Sequence, residues 1–204
     1  MKPLHSIAGI ILAAGASERM DSPKPLLAFP DGTTLLASQV QLLRSAGCSE
    51  VAVVIGAHAQ KIRSSHQGIE VTWLTNEHWE VGQFSSIQVG ISRILQTEAT
   101  GAIILPVDTA GVSHSTVQAI IDTALRNPHL EAIVPEYGEE GGHPVYVSKG
   151  FGETLARIDP RDEAARLDIQ LRGAKYVMRL PVNDPHITSN INTAQDWEDQ
   201  ISST

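Results

Sequence analysis

IAGIILAAGASERMDSPK, residues 7–24, opens with seven residues from Ile7 to Ala13 that show no polar alternation and then runs abruptly into small and charged residues. An unbroken apolar run of this length reads as a strand covered on both faces, and its sudden end reads as a strand emptying into a loop. Four later runs repeat the pattern: VAVVI at Val51 to Ile55, IEVTWL at Ile69 to Leu74, AIILPV at Ala102 to Val107, and AIVP at Ala132 to Pro135. Helical periodicity lies between them. Leu36, Val40 and Leu43 share one face of a segment stopped by Gly47, and Val117, Ile120, Ile121 and Ala124 share another. Strand alternating with helix predicts an α/β fold, doubly wound and Rossmann-like, with a mostly parallel sheet between two helical layers.

The second half is less regular. It predicts a strand at Val145 to Val147, helices near Phe151 to Ile158 and Asp162 to Arg172, a strand near Tyr176 to Leu180, and a C-terminal helix from Thr193. No stretch reads as an interdomain linker, so residues 1–204 are expected to form one domain whose later elements extend the sheet and cover its substrate side.

A hydrophobic share of 42% and a charged share of 19% fit an ordinary globular chain and exclude a disordered one; no apolar run is long enough to span a membrane. The opening MKPLHSIAGIILAAG is broken by glycine and lacks a small-residue cleavage site, so no signal peptide is expected. The single cysteine, Cys48, cannot form an intramolecular disulfide and reads as an inert, partly buried thiol. A cytoplasmic location is expected. The net charge of −8 repels phosphate backbones, and without a basic patch a nucleic-acid partner is not expected. A small anion would need a few placed cations or a metal.

In an open parallel sheet, ligands bind beyond the carboxyl ends of the strands, which puts the loop after Ala13 first in line. Ala13, Ala14 and Gly15 carry almost no side chain, so a triphosphate can reach the backbone N–H groups, and Arg19 and Lys24 supply positive charge. Neither the three-glycine dinucleotide fingerprint nor the GK[ST] ending of a P-loop occurs. The plainer alternative is a tight turn flanked by solvated charges. No histidine and cysteine spacing suits zinc, and no serine sits in a nucleophile elbow.

From Leu12 to Lys24 the string LAAGASERMDSPK resembles the signature LAAGxSxRMGxxK of the MobA-like NTP transferases, the nucleotidyltransferases related to molybdenum cofactor cytidylyltransferase and guanylyltransferase. The resemblance implies that Leu12, Ala13, Ala14, Gly15, Arg19 and Lys24 hold the nucleotide. Asp21 departs from it, standing where the family has glycine. NEHWEVGQFSSIQVGI, Asn76 to Ile91, is similar to the family segment with an asparagine, GM and a serine pair, which implies nucleotide contacts from Asn76, Gly82, Ser85 and Ser86, with Gln83 replacing methionine. The two serines could instead serve only as helix caps. LPVDTAGVS resembles LxxDxPxVS, which makes Asp108 a magnesium ligand; Ala110 replaces the proline, and Ser113 is better placed than Asp108 to cap the next helix. SNINTAQDW resembles DIDTPEDL and its NxNTPEEL variant, so Asn192 is implied as the second magnesium ligand with Asn190 close by, while Asn192 and Thr193 could also cap the last helix. GGHPVYV matches GHPV and puts His143 toward the acceptor; His5, His58 and His66 have no such context.

The resemblance thus implies a nucleotide-diphospho-sugar transferase-like fold and a Mg²⁺-dependent enzyme that moves a nucleoside monophosphate, CMP favoured, from a nucleoside triphosphate to a phosphorylated acceptor such as molybdopterin. Lys24, Arg19 and Asp108 are its expected catalytic residues, and a client molybdoenzyme or chaperone its expected protein partner. A sugar-nucleotide synthase and a non-catalytic nucleotide-binding regulatory module stay open as alternatives.

Overall fold

A computed structural model describes residues 6–202; His5 and the other residues that open the stretch expected to lack a signal peptide lie outside the described residues. The strands are β1 (Ile7–Ala13), β2 (Val51–Ile55), β3 (Thr72–Thr75), β4 (Gly101–Pro106), β5 (Ala132–Tyr137), β6 (Glu140–Gly141), β7 (Val145–Ser148) and β8 (Val177–Pro181). The helices are α1 (Leu35–Ser45), α2 (Ala59–Ser65), α3 (Gln83–Leu95), α4 (His114–Arg126), α5 (Lys149–Ala156), α6 (Leu167–Gly173) and α7 (Ala194–Ser202).

All seven residues of β1 are buried, and it lies parallel to both β2 and β4. Among the described residues one eight-stranded sheet runs β3-β2-β1-β4-β7-β5, with β8 parallel to β5 and the short β6 antiparallel to it. Successive residues of β1 feed two separate cores. Ile7 and Ile11 pack with Leu36 and Leu43 of α1, Val117 and Ile120 of α4, and Trp197 of α7. Ala8, Ile10 and Leu12 pack with Ile87 and Ile91 of α3 and Phe151 and Leu155 of α5. Helices therefore cover both faces, in three layers. Gly90 sets the depth of the α3 contact, since a Cβ there would stand 2.6 Å from the Ile10 side chain.

The ends expected at Gly47 and Ser113 are present, and Thr34 supplies a further cap. Thr34 caps α1 by accepting the Ala37 N–H, Ser113 caps α4 by accepting the Thr116 N–H, and Gly47 follows α1 at φ 103°. At α7, Thr193 Oγ1 accepts the Asp196 N–H while Asp196 Oδ2 accepts the Thr193 N–H, a reciprocal box in which Thr193 does the capping.

Three local expectations change. Strand β3 begins at Thr72, three residues later than Ile69, because the Ile69 N–H closes a turn on His66 and the ladder with β2 starts at Ala52 and Thr72. Helix α6 begins at Leu167 and not near Asp162: Asp159 and Asp162 each accept a backbone N–H two residues ahead, turning the chain where a helix would have begun. The strand after the glycine cluster, β7, runs antiparallel between β4 and β5 and does not simply extend the sheet outward. Its pairing of Val145 with Ile104 carries His143 to the carboxyl end of β4.

Candidate active site

Parallel pairing sets Leu12 of β1 beside Pro106 of β4, and the Val107 N–H donates to the Leu12 carbonyl at 3.0 Å. The loop after β1 and the loop carrying Asp108 therefore leave the sheet side by side. Ser17 folds the first of these back on itself. At φ 55° it accepts the Lys24 N–H on Oγ at 3.1 Å and the Met20 N–H on its carbonyl at 2.9 Å. The connection from β2 to α2 presses on the same loop. The Ala57 N–H donates to the Ala14 carbonyl at 3.0 Å, and His58 Nε2 donates to the Ala16 carbonyl at 2.9 Å. Gly56 is required here, because a Cβ would stand 2.7 Å from both the Ala14 carbonyl oxygen and Trp79 Cβ.

The result is a narrow cleft of about 170 Å³ at the carboxyl ends of β1 and β4. Leu12, Ala13, Ala14, Gly15, Lys24, Ser86 and Asp108 all line it. Gly15 leaves open space on the cleft side, since a Cβ there would meet nothing within 4 Å. Lys24 Nζ donates to Asp108 Oδ2 at 3.0 Å, the two side chains being 13% and 29% exposed. Nearby, in an exposed contact, Arg19 donates to Asn192 Oδ1 at 3.2 Å. The Asp108 carbonyl accepts the Ile191 N–H at 2.8 Å, which lays the C-terminal segment alongside the Asp108 loop, and Thr109 donates to Asn190 Oδ1. Positions 19, 24, 108 and 192, far apart in the chain, thus form one cluster.

Asp108 and Asn192 contribute a carboxylate and an amide oxygen, the donor types that Mg²⁺ and Mn²⁺ take. Among the described residues no group of three or more His, Cys, Asp or Glu could hold a metal ion. A divalent ion held by Asp108 and Asn192 would complete its coordination with phosphate oxygens and water, which fits a site that takes up metal together with nucleotide.

Other expected positions behave differently. Asn76 does not line the cleft: it is buried, its Nδ2 donates to Ser85 Oγ at 2.8 Å and Ser86 Oγ at 3.0 Å, and its Oδ1 accepts the His78 N–H. Its polar atoms are engaged, and its role is to fix the serines. Neither serine caps α3, whose N-cap is Gly82 without a side-chain bond. Both serines are buried; Ser85 donates to the Gly82 carbonyl at 2.7 Å, whereas Ser86 lines the cleft. Gly82 and His143 line a neighbouring cavity of about 510 Å³, which also takes in Gln83, Arg161, Asp162, Arg166 and Asp168 and shares Gln83 with the cleft. Burial pushes His143 below the ordinary imidazole range, against the opposing pull of the Asp108 charge and the Ile104 carbonyl, and its Nδ1 is buried without a partner. His58 braces the loop, and His66 bonds Thr34 Oγ1 and the Ile62 carbonyl, so both have structural work. Asp21 is exposed and does not line the cleft, and Ala110 is buried in the core. Sequence reasoning missed Ser17 and Trp79 as parts of this site and noted Gln83 only as the replacement of a methionine, although Trp79, a large aromatic in a polar stretch, was a usable signal.

Among the described residues no helix is long and apolar enough to cross a membrane. The MobA-like NTP transferase domain matches residues 9–175 of the chain. The chain is 27% identical to nicotine blue oxidoreductase of Paenarthrobacter nicotinovorans over 80% of its length and 81% of the relative's. It is 25% identical to the probable molybdenum cofactor guanylyltransferase of Mycobacterium ulcerans, covering 94% of this chain and 91% of the other. Among solved structures, Rv0371c of Mycobacterium tuberculosis H37Rv superposes with a TM-score of 0.80 at 26% identity, covering 98% of this chain and 100% of the other, and has also been crystallised with manganese. CMP:2-keto-3-deoxy-manno-octonic acid synthetase, bound to CTP, shares the fold at a TM-score of 0.72 and 14% identity, over 97% of this chain and 98% of the other.

Proposed function

The chain belongs to the MobA-like NTP transferase family, and from that premise we propose that it transfers a nucleoside monophosphate, CMP favoured, from a nucleoside triphosphate to a phosphorylated acceptor such as molybdopterin, with Mg²⁺ and release of pyrophosphate. The observation carrying this reading is the pair of contacts Lys24–Asp108 and Arg19–Asn192, which join a small-residue loop to an acid and an amide beside one cleft. Cations and hard oxygen donors converge there, and among the described residues neither cleft serine, Ser17 or Ser86, is bonded to a histidine, the set expected where positioning and charge neutralisation carry the rate.

In this reading the amides after Leu12 hold the triphosphate, Ser86 donates to the nucleoside, and Lys24 and Arg19 leave their present partners to neutralise the departing pyrophosphate. An acceptor phosphate is already ionised at neutral pH, so no side chain must first remove its proton. Asp108 and Asn192 would hold Mg²⁺, which supplies charge neutralisation of the phosphate oxygens when bound. The acceptor would enter by the cavity beyond Gln83, where Arg161 and Arg166 stand among Asp162 and Asp168, Arg166 being paired to Asp168 at 3.0 Å, and a neutral His143 offers hydrogen bonding without charge. The product's onward partner would be a client molybdoenzyme or its chaperone.

A thermal-shift panel of CTP, GTP, ATP, UTP and a nicotinamide dinucleotide, each with Mg²⁺ or a chelator, tests the reading. A nucleotide at a hundred times its dissociation constant stabilises by about 2.7 kcal/mol. The expected outcome is a Mg²⁺-dependent shift with CTP, followed by pyrophosphate release when a phosphorylated acceptor is added. Turnover with a sugar 1-phosphate would identify a sugar-nucleotide synthase instead, and affinity without pyrophosphate a binding module. A response to the dinucleotide alone would overturn the transferase reading.

A further inference from the structure

Gln39 lies on α1, beneath the sheet end that carries the candidate site, and is only 4% exposed. Its amide nitrogen sits 3.3, 3.2 and 3.0 Å from the carbonyl oxygens of Pro106, Val107 and Thr109. Those three residues flank Asp108 on both sides. The loop therefore turns its carbonyls inward onto one amide while the Asp108 carboxylate faces Lys24 in the cleft. The other half of the amide is left unsatisfied: Oε1 is buried with no hydrogen-bond partner. An apolar side chain of similar size would avoid that orphan but would withdraw the two hydrogens that the amide gives the loop carbonyls.

The outer side of the loop is held separately. The Ile191 N–H donates to the Asp108 carbonyl, and Thr109 Oγ1 donates to Asn190. From the core the Leu12 carbonyl accepts the Val107 N–H, and Gln39 is the one side chain bonded to residues 106–109 from that side among the described residues. We infer that Gln39 is a positioning residue that fixes the Asp108 loop, and with it the direction of the Asp108 carboxylate, for divalent-metal binding. This rests on the reading of Asp108 as a metal ligand. Groups that orient metal ligands from behind are worth about 10–100-fold in metal affinity when removed.

The experiment compares the full-length native protein with Gln39→Met, which keeps side-chain size and loses both donors, and with Gln39→Asn, which keeps an amide too short to reach all three carbonyls. Mn²⁺ binding in the presence of CTP is read by water-proton relaxation enhancement, which separates the ternary complex from Mn²⁺–nucleotide; CTP affinity in chelator is read alongside by thermal shift. Val40→Ala, an adjacent core substitution on α1, serves as a control for general loosening. The expected result is a loss of about 10–100-fold in ternary Mn²⁺ affinity for Gln39→Met, a smaller loss for Gln39→Asn, native metal-free CTP affinity in both, and no loss of Mn²⁺ affinity for Val40→Ala. Native Mn²⁺ affinity in the Gln39 variants overturns the inference, as does a parallel loss of metal-free CTP affinity, which would mark a merely structural role. Gln39→Asn carries the test if Gln39→Met does not fold. Asp108→Ala separates the two levels: native Mn²⁺ binding in that variant removes the metal-ligand reading itself, and lost binding there with native binding in the Gln39 variants removes only the role of Gln39.

Discussion

Replacing Lys24 by methionine should move two measurements in opposite directions. Lys24 Nζ lies 3.0 Å from Asp108 Oδ2. Two unit charges at that distance attract by about 1.4 kcal/mol at the dielectric of water and about 5.5 kcal/mol at an effective dielectric of ~20. The pair is partly exposed, so desolvation and side-chain ordering offset most of this, leaving a net value of about 1 kcal/mol. That attraction competes with any cation that approaches Asp108. Lys24→Met should therefore tighten Mn²⁺ binding to the nucleotide-free protein by about fivefold, read from loss of the free-ion signal in electron paramagnetic resonance. The same variant removes the cation proposed to neutralise the departing pyrophosphate, and pyrophosphate release should fall by about 10²–10³-fold. A conservative shape change with these opposite signs has no purely structural explanation. Unchanged or weaker Mn²⁺ binding would show that Lys24 does not hold the Asp108 carboxylate in solution, and retained turnover would remove Lys24 from the phosphate site.

Asn76→Ala should cost about 1–3 kcal/mol in urea unfolding, because its bonds to Ser85, Ser86 and the His78 N–H are all lost, whereas Ser86→Ala, which removes one of these, should cost less and lower nucleotide affinity in the thermal-shift panel. A burial-depressed His143 binds its proton less readily in the folded chain than in the unfolded one. Its contribution is thus fully present above about pH 6.5, falls by up to about 1.4 kcal/mol per pH unit as pH drops below that, and levels off once the folded imidazole also protonates. His143→Gln should flatten this part of the urea-stability profile, and an unchanged slope would refute the assignment. Asp184, against the upward push of its burial, and Asp196 are held below the usual carboxylate range by the N–H and hydroxyl donors around them, so they contribute stability above about pH 4 that is lost as pH falls further, in a separate acid window. Burial pushes the Cys48 thiol up to about 12, so a disulfide reagent at pH 8 should label it only as fast as the chain unfolds, and labelling at the rate of a free thiol in native buffer would contradict its burial.

The candidate site was legible where a short string fixes a local shape. The unbroken run to Ala13, the small residues after it and Lys24 specify a strand, a loop and a charge within a few residues of one another, and the structure lines the cleft with them. Asn76 shows where that reasoning stops. The family resemblance implies a nucleotide contact from Asn76, but burial and the placement of α3 turn its amide onto Ser85 and Ser86. Gln39 shows the converse. Nothing in LLASQVQLL marks a glutamine on an amphipathic helix as more than a polar position, because its partners are carbonyls about seventy residues away.

By itself the sequence determined the two-faced strands, the alternation with helices, the capped helix ends and the local chemistry of the loop after β1, since these follow from neighbouring residues and from apolar patterning. Only the tertiary structure decided that β7 returns antiparallel between β4 and β5, bringing His143 to the end of β4, and that Arg19 and Lys24 meet Asn192 and Asp108. The physical reason is one of range. Periodicity encodes which face of an element is buried, whereas the direction of an inserted strand and the pairing of distant charges are settled by how whole elements close around two shared cores.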